Sequence, residues 1–103
     1  MAIEYSKKQI YTFTRKLYYH LRHHADALFF QKIRGACGYY DYETDEITID
    51  YRKDIISTLV HEFLHHLHTR MCETSISNHE KAIMNKLSHR QIRNIIKVLG
   101  NNV

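Results

Sequence analysis

Ile10, Phe13, Leu17 and Leu21 follow one another at spacings of three and four, the repeat of one helix face. Just upstream, Ser6-Lys7-Lys8-Gln9 has the form of a capping box, a hydroxyl at the N-cap answered by a Gln three residues on, so a helix is predicted from there to between His23 and Ala25. Ala27-Leu28-Phe29-Phe30-Gln31-Lys32-Ile33 is a short apolar run that suits strand or helix, and Gly35 and Gly38 break it. Tyr39-Tyr40-Asp41-Tyr42-Glu43 and Glu46-Ile47-Thr48-Ile49-Asp50-Tyr51 are rich in β-formers, and the second alternates Ile with polar residues. With turn chemistry at Glu43-Thr44-Asp45-Glu46 between them, they read as a β-hairpin, and Leu28 to Ile33 as a third strand. Helical spacing then returns in Ile56, Leu59, Val60, Phe63, Leu64 and Leu67, behind Asp54 as N-cap, for a helix to about Arg70. Ser77-Asn78-His79-Glu80 has the capping-box form and predicts a short helix with Ala82, Ile83 and Leu87 inward. Ser88-His89-Arg90-Gln91 repeats it before a last helix with Ile92, Ile95, Ile96 and Leu99 on one face and Gly100 to stop it. The expected fold class is α+β: an N-terminal helix, a small three-stranded, mostly antiparallel sheet, and three further helices.

Length and composition narrow this to one modest domain, residues 1–103. Lys and Arg outnumber Asp and Glu by 15 to 11, a mildly basic balance without a dense basic patch or a base-reading motif, so a nucleic-acid partner is not expected. Cys37 and Cys72 are the only cysteines and form no C-x-x-C pair, which argues against a disulfide framework. The chain starts without the apolar core of a signal peptide and has no run long enough to span a membrane, so a cytoplasmic location is expected. Without proline, linker or repeat, nothing calls for a second domain.

Chemistry concentrates in the helix after the hairpin. His61-Glu62-Phe63-Leu64-His65 is His-Glu-x-x-His, the motif of zinc peptidases. Residues four apart on a helix share a face, so His61 and His65 can offer two imidazoles to one Zn2+ per chain, with Glu62 beside them as the base that takes a proton from water and passes it to a leaving amine. Nine histidines in 103 residues make a chance match a real alternative, a solvated His-rich helix. The apolar stripe from Ile56 to Leu67 argues against that, because it buries the helix and leaves the two histidines at the margin.

A catalytic zinc usually takes a third protein ligand. His68 keeps to the same face but lies seven residues on, about 10 Å along the axis at 1.5 Å per residue, too far for one ion. His66 points to another side. The helix expected at Ser77 offers His79 and Glu80, and His79 is the first choice, because Glu80 would have to give up its capping bond.

A hairpin, His61-Glu62-x-x-His65 and a downstream ligand helix resemble the gluzincin metallopeptidases, the group containing thermolysin. In length and order the chain looks most like the minigluzincins, soluble single-domain proteins. The resemblance implies a zincin-like fold, a peptide or protein substrate, and a histidine as third ligand, which fits His79. It further implies a zymogen held latent by its C-terminal segment, here residues 88–103, folded over the cleft or exchanged in a homodimer through the last helix. On the reading of the residues alone, peptide hydrolysis competes with a non-catalytic zinc-containing binding or regulatory module, its fourth site closed by Cys72 or a C-terminal group.

Overall fold

The computed structural model describes residues 3–102. Its first helix, α1 (Lys7–His23), begins at the expected capping box, where the Gln9 N–H donates to Ser6 Oγ over 3.1 Å and the Ser6 N–H to Gln9 Oε1 over 2.8 Å. Ile10, Phe13, Leu17 and Leu21 are buried along one side. A 3-10 turn at Ala25–Ala27 leads into β1 (Leu28–Phe30), followed by β2 (Gly38–Asp41) and β3 (Glu46–Ile49). The helices α2 (Ile55–Leu67), α3 (Glu73–Lys86) and α4 (His89–Asn102) complete an α+β fold.

The hairpin and the third strand are present, but the sheet is mixed. Its order is β1-β3-β2, with β2 and β3 antiparallel and β1 parallel to β3. After β1 the chain crosses to the far edge before turning back, and that crossing sets β1 parallel to the strand that fills the gap. Gly35, at φ +84°, sits in this crossing in a conformation that suits glycine. Glu46–Tyr51 is centred on the middle strand. Ile47, Thr48, Ile49 and Asp50 are all buried, as a strand with neighbours on both sides requires. The free edges belong to β1 and β2.

Two close fits hold this region. An added Cβ at Gly38 would stand 2.7 Å from the Thr48 carbonyl oxygen and 2.7 Å from Thr58 Cγ2, so β2 reaches β3 and α2 only because Gly38 has no side chain. Gly38→Ala is therefore expected to destabilise the fold by about 1–3 kcal/mol in urea unfolding, the range for overpacking a filled interior. Asp50, fully buried, accepts hydrogen bonds from the Arg52 N–H at 3.0 Å, the Arg52 guanidinium at 2.7 Å and the Ile33 N–H at 3.0 Å. These bonds, Arg52's first, hold its carboxyl well below the ordinary 3.8. Stability from a depressed carboxylate is fully present above the unfolded value and lost as pH falls through the folded one. Thermal melts should therefore show the Asp50 contribution intact at pH 5 and above and fading below about pH 4, while Asp50→Asn loses that acid dependence.

Helix α2 lies at the centre. Asp54 caps it, accepting from the Ser57 N–H at 3.1 Å, and it ends at Leu67, one turn before the expected Arg70. Leu59, Val60, Phe63 and Leu64 are buried, and the Phe63 ring meets Phe13 of α1 edge-on at 5.6 Å. Helix α3 begins four residues before Ser77. Its N-cap is Cys72, which makes no side-chain capping bond, and Ser77 lies inside the helix. Ile76 and Ile83, both fully buried and seven residues apart on one face, anchor the helix upstream of the apparent capping box.

The capping box of α4 is real, with the Gln91 N–H donating to Ser88 Oγ at 3.1 Å and the Ser88 N–H to Gln91 Oε1 at 2.9 Å. The helix runs through Gly100. Ile95 and Val98 are buried while Ile96 is exposed, so the inward face is rotated from the expected one. This face packs on α1 of the same chain, where Tyr18 OH donates to the Gln91 carbonyl at 3.3 Å. No helix among the described residues is long and apolar enough to cross a membrane.

Candidate metal centre

One turn of α2 sets His61 and His65 on the same side, ring centroids 5.1 Å apart. Glu73, in the first turn of α3, reaches across to both. Its Oε1 lies 2.6 Å from His61 Nε2 and its Oε2 2.8 Å from His65 Nε2. The ligand atoms of these three residues lie within 4.8 Å of one another, the one such group of His, Cys, Asp or Glu among the described residues. Two imidazoles and a carboxylate are a donor set that transition metals accept. Each histidine is also held by its other nitrogen, His61 Nδ1 by Glu80 Oε1 at 2.9 Å and His65 Nδ1 by Tyr42 OH at 3.3 Å. Such contacts orient metal-binding imidazoles and make them better donors.

The electrostatics follow from this crowding. Burial disfavours a charged His61, but Glu80, Glu62 and Glu73 outweigh it and raise its pKa. Burial likewise works against the Glu73 carboxylate, and the two histidines prevail and lower its pKa. Glu62 is different. Only 6 % exposed, it makes no hydrogen bond among the described residues, and burial first, then Glu73 and Glu80, pushes its carboxyl up to about 7 against the pull of His61. A cation beside it would draw that value down again.

These groups line a cleft of about 410 Å³. Its walls come from three elements: Ala36 to Gly38 leading into β2, the outer face of α2, and Glu73, Ser77 and Glu80 of α3. None of the described residues of α4 lines it.

Of the residues singled out in the sequence, His61, Glu62 and His65 are together here and His79 is not. His79 Nδ1 lies 2.6 Å from Tyr5 OH, with the two rings edge to face at 5.8 Å. Glu80 is in the site, but against the outer nitrogen of His61. His68 caps the C-terminus of α2 and is exposed, and His66 Nδ1 turns to Asp45 Oδ1 at 2.6 Å. Cys72 is exposed, its Sγ 3.5 Å from Ser75 Oγ, and is not in the metal group. Glu73 was missed because the helix start was placed at Ser77, which left it in a loop. The signal was there: Glu73, Ser77 and Glu80 are spaced i, i+4, i+7, one polar face of a helix that starts earlier.

No protein-family model, curated protein or solved structure matches the chain.

Proposed function

We propose that this chain is a zinc-dependent peptidase of the gluzincin kind, with His61, His65 and Glu73 as the metal ligands and Glu62 as the general base. The observation that carries the reading is the meeting of His61, His65 and the Glu73 carboxylate beside a buried Glu62 in one cleft. His61-Glu62-x-x-His65 with a downstream glutamate is also closer to the gluzincin pattern of ligands than a set of three histidines. The ion, when bound, supplies Lewis acidity, acidifying water and polarising a carbonyl.

The chain's own residues do the rest. Glu62 is held on the α2 face beside the ligands, where it can take a proton from water and return it to the leaving amine. Glu80 and Tyr42 fix the two imidazoles so that the donor nitrogens face Glu73. β2, an edge strand whose Gly38 lines the cleft, is placed to hold an extended peptide by strand addition. With the cleft open and α4 docked on α1, latency imposed by residues 88–103 is not part of this reading.

The test is incubation of the zinc-loaded chain with a mixture of denatured proteins, followed by mass spectrometry of new peptide termini. Cleavage that stops on chelation and returns with zinc supports a peptidase. A chain that binds zinc at His61 and His65 and cleaves nothing is the non-catalytic binding module instead.

A further inference from the structure

A second group of histidines gathers on another side of α2. His20 and His24 are one turn apart at the end of α1, joined by a hydrogen bond from the His24 N–H to the His20 carbonyl at 2.8 Å. Their ring centroids are 5.0 Å apart, against 5.1 Å for the metal-centre pair His61 and His65. His66 of α2 brings a third imidazole, 4.6 Å from His20. All three line a cavity of about 430 Å³ floored by Phe63 and Leu67, which shares no lining residue with the cleft at His61.

Two features of this group are unlike ordinary buried histidines. His20 is only 6 % exposed, yet neither ring nitrogen makes a hydrogen bond among the described residues. Among the described residues no buried side-chain nitrogen or oxygen lacks a partner, so the ring nitrogens of His20 open to the cavity it lines, where a ligand can reach them. His66, in turn, is held as metal-binding histidines are held. Asp45 Oδ1 takes its Nδ1 at 2.6 Å and leaves Nε2 free, and Tyr40 OH donates to the same Asp45 oxygen. Asp45 does this from a left-handed conformation, φ 60°, on the hairpin turn.

We propose that His20, His24 and His66 form a second site for a divalent transition metal of the imidazole-preferring class, such as Zn2+, Ni2+ or Co2+, tying α1 to α2. Three imidazoles are a sufficient set for such an ion, with water completing the shell. The ligand atoms do not yet converge within 4.8 Å as they do at His61, His65 and Glu73. Closing the site requires His24, which is exposed, to turn about its side-chain bonds. Arg15 and Lys16 line the same cavity, but both are exposed and can carry their charge into solvent. Bound metal would join the end of α1 to the back of the peptidase helix and stabilise that contact without touching the cleft.

The experiment is Co2+ titration of the full chain, read by visible absorption and by equilibrium dialysis. Wild type should bind two equivalents, His24→Ala one, and His61→Ala/His65→Ala one. His24 is exposed, so its alanine variant keeps the fold. Asp45→Asn, which keeps a residue tolerant of positive φ, should weaken the second equivalent by about 10–100-fold, the usual effect of losing an outer-shell partner. A single equivalent lost in His24→Ala but kept in His61→Ala/His65→Ala would support this site and remove the ion from the proposed peptidase centre. The inference is overturned if His24→Ala binds as many equivalents as wild type with unchanged affinity, whether one or two.

Discussion

Glu73→Ala is expected to strip the metal from the His61–His65 pair, weakening that equivalent by more than the 10–100-fold lost when only an outer-shell partner is removed. Glu73 presents both carboxylate oxygens to the two Nε2 atoms, at 2.6 and 2.8 Å, so no other group now facing the pair can replace it. Glu80 is already taken by His61 Nδ1, and His79 is held by Tyr5. His79→Ala should accordingly leave metal binding at the pair unchanged. Glu73 is exposed and lies in the first turn of α3, so its removal does not open the core. In the metal-free chain the variant also loses its two contacts with the histidines, but exposure of Glu73 limits their worth, as for other surface pairs. Dialysis against zinc at neutral pH, with both alanine variants in parallel, decides the matter. If Glu73→Ala holds its metal and His79→Ala does not, the centre as described here is wrong and the third ligand is the histidine.

The contrast between those two residues also marks how far the sequence was legible. Whatever is written within one helix turn could be read directly: the caps Ser6, Asp54 and Ser88, the buried stripes of α1 and α2, and the trio His61, Glu62 and His65 all stand where spacing put them. What depended on contacts between distant segments could not. The N-terminus of α3 is set by burial of Ile76 and Ile83 against the rest of the fold, not by the hydroxyl of Ser77, and with it went Glu73. In the same way, the alternation in Glu46 to Tyr51 showed a strand but not its two neighbours, since strands of three and four residues carry too few side chains to encode a partner. The cluster of His20, Asp45 and His66 comes from α1, the hairpin turn and α2, and no local pattern announces it. Local code therefore located the histidine pair, and tertiary packing chose the groups that complete the candidate site.

Glu62→Gln should separate metal binding from catalysis. Glutamine keeps the shape of the side chain but cannot take a proton, so zinc stoichiometry should be unchanged while peptide hydrolysis falls by about 10²–10⁴-fold, the usual contribution of a positioned general base. The same substitution has an opposite effect on stability. Glu62 is nearly inaccessible, and burial pushes its carboxyl up to about 7, so above that pH the metal-free chain carries an unpaired buried charge that the unfolded chain solvates freely. Its cost is present at pH 8 and disappears as pH falls below about 7, where the folded chain takes up the proton. With metal removed, Glu62→Gln should therefore melt at a higher temperature than wild type at pH 8, the difference closing towards pH 5. With zinc bound, the cation supplies the charge that Glu62 lacks, and the advantage of glutamine should shrink. A variant that is less active, more stable when stripped and equally loaded with zinc fits a residue kept for chemistry at the expense of the fold. Unchanged hydrolysis in Glu62→Gln would end its role as the base, and a lower melting temperature at pH 8 would mean that the carboxylate has a stabilising partner.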